Sequence, residues 1–415
     1  MRNSADHQLR DLIPQTLDLI LAKTTNASRY SVLLGHVIGV ALRLKETKTK
    51  QVNNGRLVIE EKKDAIATFY STHILGSKTA VPRYASTALD EFLAEFVDFT
   101  MLTEKLLPVA ERMLLRSPEV ALELTADLLN ATSHDISSLL PAKLLPAILS
   151  ASKSSNADTR AKSVDLFRAV IQRTSDINVQ AKVVTEVLAL PKTGKSASAE
   201  HRVALFTMSR WVPPSDDISA TVIDTLVPII GKENNDAALA ALAENFGHHL
   251  TKVLISQKAL APTTSTTLAK ELNSAKLTTR RALSGGIASA IWQAGNTETK
   301  FSSEGEKLVS ALAPAFEANL KTASANPAST PGGFLEGYTA VALALGPLSA
   351  IQGAAKLANS PLLADLLVTS PKPSFLLNDK AYGKLPTSTD REWFSLALIS
   401  LVTSQASKLE NEAVR

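Results

Sequence analysis

Apolar residues recur at helical rather than strand spacing along nearly the whole chain. The clearest unit is 117–130, SPEVALELTADLLN. Ala121, Leu124 and Leu128 share one face there, while Glu119, Glu123 and Asp127 form an acidic stripe on another. Ser117 is placed to cap this helix with its hydroxyl, and Pro118 suits the first helical position, where no N–H is needed. A helix of roughly 12 residues with a single apolar stripe is marginal alone in water. It needs neighbours, and the chain supplies them.

Helical periodicity predicts elements over 9–22, 30–44 and 57–75, a break over 76–82, and further helices over 84–99 and 100–115. Beyond the unit at 117, pairs follow at 139–150 with a helix from 157, 179–190 with 200–211, 218–230 with 236–246, and 264–272 with 279–292. Pro141 and Pro146 must sit near the ends of their helix or at a kink. Second helices start near Pro118, Asp158, Glu200, Asp236 and Thr278, at spacings of 40, 42, 36 and 42 residues. A helix pair every 40 or so residues predicts an all-α solenoid of HEAT or armadillo-like repeats, each completing its core against the next. Three regions are expected: 1–75 with a basic loop at 44–57, regular repeats over 76–295, and less regular repeats over 296–415 with loops near 323–333 and 371–389.

Composition agrees. Hydrophobic residues make up 45%, charged residues 20% and aromatics only 5% of the 415 residues, which suits helices packed through small side chains better than a β-sandwich. A net charge of +4 is too small to mark a DNA-binding domain by itself. The absence of cysteine excludes disulfides and Cys-based zinc sites and fits the cytosol. The N-terminus has no signal-peptide pattern. The uncharged run 337–355 holds Gly337, Gly346, Pro347, Gln352 and Gly353, so it reads as two short buried helices rather than a membrane span. Both ends fall inside helical patterns, as in a segment of a longer protein.

Candidate chemistry is sparse. Thr193-Gly194-Lys195-Ser196 has the end of a phosphate loop, but its first glycine is replaced by Ala189 and a helix precedes it. His248 and His249 are adjacent, about 100° apart on a helix, and cannot share a metal as two histidines four apart do. There is no G-x-S-x-G elbow and no thiol nucleophile. No enzymatic activity and no cofactor are therefore expected. Arg280 and Arg281 open a helix, where pairing with an acid of a neighbouring repeat is the expected role. Trp211, Trp292 and Trp393 suit core or cap packing. The basic loop is the one candidate contact site. Arg43, Lys45, Lys48, Lys50 and Arg56 surround a single acid, Glu46, and could bind phosphates through counterion release.

Two motifs add a resemblance. One is Leu115-Arg116-Ser117-Pro118-Glu119-Val120, preceded by Glu91-Phe92-Leu93-Ala94-Glu95-Phe96-Val97. The other is Pro228-Ile229-Ile230-Gly231-Lys232-Glu233-Asn234-Asn235-Asp236-Ala237-Ala238-Leu239. In this order, they resemble the N-terminal region of the ribosome-associated HEAT-repeat family that activates the kinase of initiation factor two alpha in general amino-acid control, with a fungal flavour. The match runs roughly over 75–242. The resemblance implies a cytoplasmic scaffold that binds stalled or collided ribosomes, through ribosomal stalk proteins or ribosomal RNA. It further implies an ABC-type ATPase partner and the starvation kinase, both engaged by other parts of the full-length protein. The rival expectation is a protein adaptor of transport-receptor type, which favours an acidic inner surface where this chain is slightly basic.

Overall fold

The computed structural model describes residues 2–23, 26–43, 55–192, 198–295 and 301–325. They form paired helices in a repeat-like, all-α arrangement of the HEAT/armadillo kind. Two compact units result, Met1–Val183 and Val184–Arg415.

The first unit opens with α1 (Arg2–Leu21), α2 (Ala27–Arg43) and α3 (Gly55–Phe69), which pack on one another. A π-helical turn, Tyr70–Leu75, extends α3 to the break at Gly76. The segment read as one helix over 84–99 is divided into α4 (Arg83–Ser86), a 3-10 turn and α5 (Asp90–Phe96). Next come α6 (Phe99–Met101), a π turn at Leu102–Leu106, α7 (Leu107–Arg116) and α8 (Pro118–Ala131). A third π turn, Leu140–Leu144, leads into α9 (Leu145–Ala151), and α10 (Ala157–Gln172) packs along α8. Two of these wide turns end just before Pro108 and Pro146. Proline has no N–H to give and crowds the carbonyl four residues back, so a widened turn relieves the clash.

α11 (Ile177–Lys192) crosses the division between the units. The second unit stacks α12 (Ala199–Arg210), α14 (Asp236–Ile255) and α16 (Leu277–Gly295) as one layer. The other layer is α13 (Asp216–Ile230), α15 (Pro262–Leu272) and α17 (Ser303–Ala325). α14 and α16 approach closely through Gly247 and Gly286. A Cβ on Gly286 would lie 3.0 Å from the Phe246 ring, and one on Gly247 3.1 Å from the Gly286 carbonyl. α14 runs nine residues past the expected end at 246, and α17 is a helix that sequence periodicity did not single out.

Second helices begin at Pro118, Ala157, Ala199, Asp236 and Leu277, each within one residue of the position read from sequence. The period also appears in the hydrogen bonds between repeats. Arg56–Glu95 spans 39 residues, Asp135–Ser175 40, Ser86–Asp127 41, Asp224–Thr264 40 and Thr251–Gln293 42. Within each unit, these repeats thus bind their successors at matching positions. Phe92, Phe167, Phe206 and Phe246 are fully buried, each contributing roughly 1.5–3 kcal/mol of transfer free energy.

Caps follow the expected chemistry at Asn156, Ser198, Ser215 and Asn235, whose side chains accept first-turn amides. Ser117 does not. Its ψ is 63°, against 153° at Ser198 and 170° at Ser215, so its hydroxyl makes no cap bond. The Ser117 carbonyl instead accepts Val120 N at 3.1 Å and Ala121 N at 3.0 Å. Pro118 takes the first helical position as expected, and Ala121, Leu124 and Leu128 are buried.

Candidate functional site

The basic loop is built on two helix ends. Arg43 closes α2 and Arg56 opens α3. Gly55 is buried at the start of α3. A Cβ there would lie 2.2 Å from the Ala41 carbonyl oxygen, so only glycine lets the two stems close this tightly.

Both stem arginines are committed to α5. Arg43 Nη2 lies 2.7 Å from Glu91 Oε1, and Arg56 Nη1 lies 2.6 Å from Glu95 Oε2. Glu91 and Glu95 are four residues apart and so share a helix face. The Arg56 guanidinium also sits 5.2 Å from the centroid of the buried Phe96 ring. Glu91, Glu95 and Phe96 belong to the first sequence motif, whose Phe92, Leu93 and Val97 fill the core beneath. Lys45, Lys48 and Lys50 lie outside the described residues.

The second motif has the same logic with a buried acid. Glu233 is 3% exposed and receives Arg202 in a fork, Nε at 2.7 Å and Nη2 at 2.9 Å. Its Oε1 also accepts the amides of Asn234 and Asn235 at 3.0 and 2.9 Å. Burial pushes this carboxyl up, but the guanidinium and the amides outweigh it and hold it below the ordinary value. The Arg202–Glu233 pair is an arginine–acid tie between repeats of the kind expected at Arg280 and Arg281. Arg280 donates to the Ser274 carbonyl of its own preceding turn, as Arg160 does to Ser154.

Asp135 ties the loops before α9 and α11. Burial opposes its charge, but Ser137 and Ser175 each donate backbone and hydroxyl hydrogens and hold it at about 2. His249 is buried between α12, α13 and α14. Nε2 faces the Ser209 carbonyl at 3.3 Å and must donate, so Nδ1 accepts from Ser219 Oγ at 3.1 Å. Burial, then neighbouring His248, lowers its pKa to about 4, and the ring stays neutral. Neither histidine belongs to a metal-binding group, and among the described residues no cluster of three or more His, Asp or Glu could hold a metal. Thr193, Gly194, Lys195 and Ser196 lie outside the described residues, as does Trp393. Trp211 caps α12 and is 38% exposed. No helix among the described residues is long and apolar enough to cross a membrane.

The sequence pattern did not reveal the pairing of the motif acids with arginines. Their i, i+4 spacing in one motif and the Asn-Asn-Asp cap in the other were the available signals.

Comparison with known families now bears on this geometry. The model described as General control nonderepressible 1 (Gcn1) N-terminal matches residues 199–415, just over half of the chain. The chain belongs to the Gcn1 N-terminal family. A second model, Stalled ribosome sensor GCN1 N-terminal, matches 63–197. The eIF-2-alpha kinase activator GCN1 of Saccharomyces cerevisiae is 28% identical over 168 residues, 39% of this chain and 6% of that protein. The human Stalled ribosome sensor GCN1 is 22% identical over 237 residues, 55% of this chain and 8% of that protein. The aligned stretches thus span less than a tenth of either relative, and the likeness extends beyond fungi. In this Gcn1 N-terminal segment, both arginine-holding motifs lie within the matched residues.

Proposed function

We propose that this segment is a non-catalytic cytoplasmic scaffold that docks on the ribosome or its stalk proteins. In that role it helps activate the initiation factor two alpha kinase when ribosomes stall or collide during amino-acid starvation. Membership of the Gcn1 N-terminal family carries this reading, and the names of the yeast and human relatives support both halves of it. The ABC-type ATPase and the kinase engage other parts of the full-length protein. A stacked array of helix pairs suits the role because it presents a long surface without a reactive centre.

Within this reading the loop between α2 and α3 meets ribosomal RNA. Arg43 and Arg56 fix its stems on α5, and Lys45, Lys48 and Lys50 supply the phosphate contacts. The test is co-sedimentation of the segment with ribosomes across a salt series. Pelleting at low salt that falls steeply with added salt is expected. Reversing Lys45, Lys48 and Lys50 to Glu should cut association at least tenfold and leave the melting temperature unchanged. Failure to pellet at low salt would reject direct ribosome binding by this segment, and unchanged binding of the triple variant would reject the loop.

A further inference from the structure

The two ion pairs at the stem of the α2–α3 loop are alike in distance and unlike in hold. Arg56 is held from two sides, by the Glu95 carboxylate and by the face of the buried Phe96 ring. Arg43 gives one N–H to Glu91, and among the described residues the rest of its guanidinium fork is unspent. The Arg43–Glu91 pair is also the more open. Its side chains are 72% and 51% exposed, against 58% and 40% for Arg56 and Glu95.

The looser pair has a seat of its own. Gly39 is buried one turn before Arg43 on α2, and a Cβ there would stand 2.8 Å from Arg43 Nη1 and 3.2 Å from Glu91 Oε2. The next nearest atom is Arg43 Cζ, at 3.6 Å, so that position faces the ion pair and no backbone. Gly35, one turn earlier, differs, because a Cβ there would meet the Ala88 carbonyl. Gly35 therefore serves helix packing, while the bare backbone at Gly39 lets a guanidinium and a carboxylate settle together against the helix.

We propose that Glu91 is a latch on Arg43 that restrains the loop's own hold on RNA. When a backbone phosphate reaches the loop, Arg43 leaves Glu91 for the phosphate, which takes the guanidinium in a charge-assisted fork. Arg56 stays on Glu95 and Phe96 as the fixed stem. The exchange is cheap in either direction, because an exposed pair is worth little more than its hydrated parts and Glu91 is left facing water. This inference rests on the reading of the loop as an RNA contact. It adds a phosphate ligand to the three lysines and an acid that competes for it.

Fluorescence anisotropy of the full chain with a labelled RNA duplex tests the latch. Glu91→Gln should raise affinity about two- to fivefold, the worth of one exposed pair. Glu95→Gln removes the same charge one turn along the same helix face and should change affinity by less than about 1.5-fold, since Phe96 still holds Arg56. Gly39→Ala alters no charge, pushes the pair off its seat and should also raise affinity, whereas Gly285→Ala, with open space around it on α16, should not. Arg43→Gln should flatten the log–log salt dependence by about 0.7–0.9, one phosphate contact, and Arg56→Gln should leave it unchanged. Equal gains from the Glu91 and Glu95 variants would reduce the effect to net charge and overturn the latch, as would an unchanged salt slope in Arg43→Gln. If reversing Lys45, Lys48 and Lys50 abolishes binding while Glu91→Gln brings no gain, the latch falls and the RNA contact stands. No binding by the wild-type chain would overturn both.

Discussion

The two units build the same repeat by different means. In Met1–Val183, three π turns and the short helices α4, α5 and α6 interrupt the array, and the cross-repeat ion pairs Arg43–Glu91, Arg56–Glu95 and Lys105–Asp64 are solvent-exposed. In the described part of Val184–Arg415 the helices run on, α14 for 20 residues, and exposed pairs such as Arg210–Glu244 are joined by polar ties buried at Glu233, Asn245 and His249. An exposed pair gives up little water and gains little, so it adjusts as a broken helix shifts. A buried tie demands a fixed partner, because the group left behind has no water to turn to. The regular unit can hold such groups because its long helices keep their partners in register.

Three measurements would break or sharpen this contrast. The largest effect belongs to Glu233→Ala, which removes the buried carboxylate that Arg202 and two amides share. It should cost about 3–5 kcal/mol in denaturant unfolding, and a loss under 1 kcal/mol would remove the buried tie from the comparison.

Mild acid should act on the two units with opposite sign. His249 falls from 6.5 to about 4 on folding, so its stabilisation is complete above pH 6.5 and lost as pH drops toward 4. At pH 5 the loss is on the order of 2 kcal/mol. Asp90 rises from 3.8 to about 6, so its ionisation penalty is full above pH 6 and disappears as pH drops toward 3.8. Hydrogen exchange at pH 7 and pH 5 should therefore show amides of α12 and α14 losing protection while those of α5 gain it. His249→Gln should flatten the first response and Asp90→Asn the second. Responses of the same sign in both units would contradict the assignment.

The smallest effect is at the loop stem. Arg43 and Glu91 are 72% and 51% exposed, so Arg43→Ala should change stability by less than about 1 kcal/mol. A larger loss in thermal melts would show that the exposed ties carry as much as the buried ones.

Helix type, pairing and the 40-residue period were all legible in the chain, because apolar spacing and caps act over a few residues and need no knowledge of neighbours. Asn156, Ser198, Ser215 and Asn235 announce their helices by their own side chains. Pro141 and Pro146 marked where a helix could not continue undisturbed, but not that a π turn would absorb them. Ser117 shows the limit of a local rule: a capping residue type is present, but its backbone turns the hydroxyl away from the amides it would serve. In the candidate site, the stem residues Arg43 and Arg56 were visible as charge, while their commitment to Glu91 and Glu95 was not.

What the sequence by itself determined is the array: which segments are helical, which faces are apolar, and how often the unit recurs. The tertiary structure alone decided which acid meets which arginine, that His249 stays neutral, and that Asp127 accepts from Ser86. Those outcomes depend on side chains some 30 to 50 residues apart in the chain. Only the packed helices bring such groups within hydrogen-bond reach, and only their burial sets the charge each one keeps.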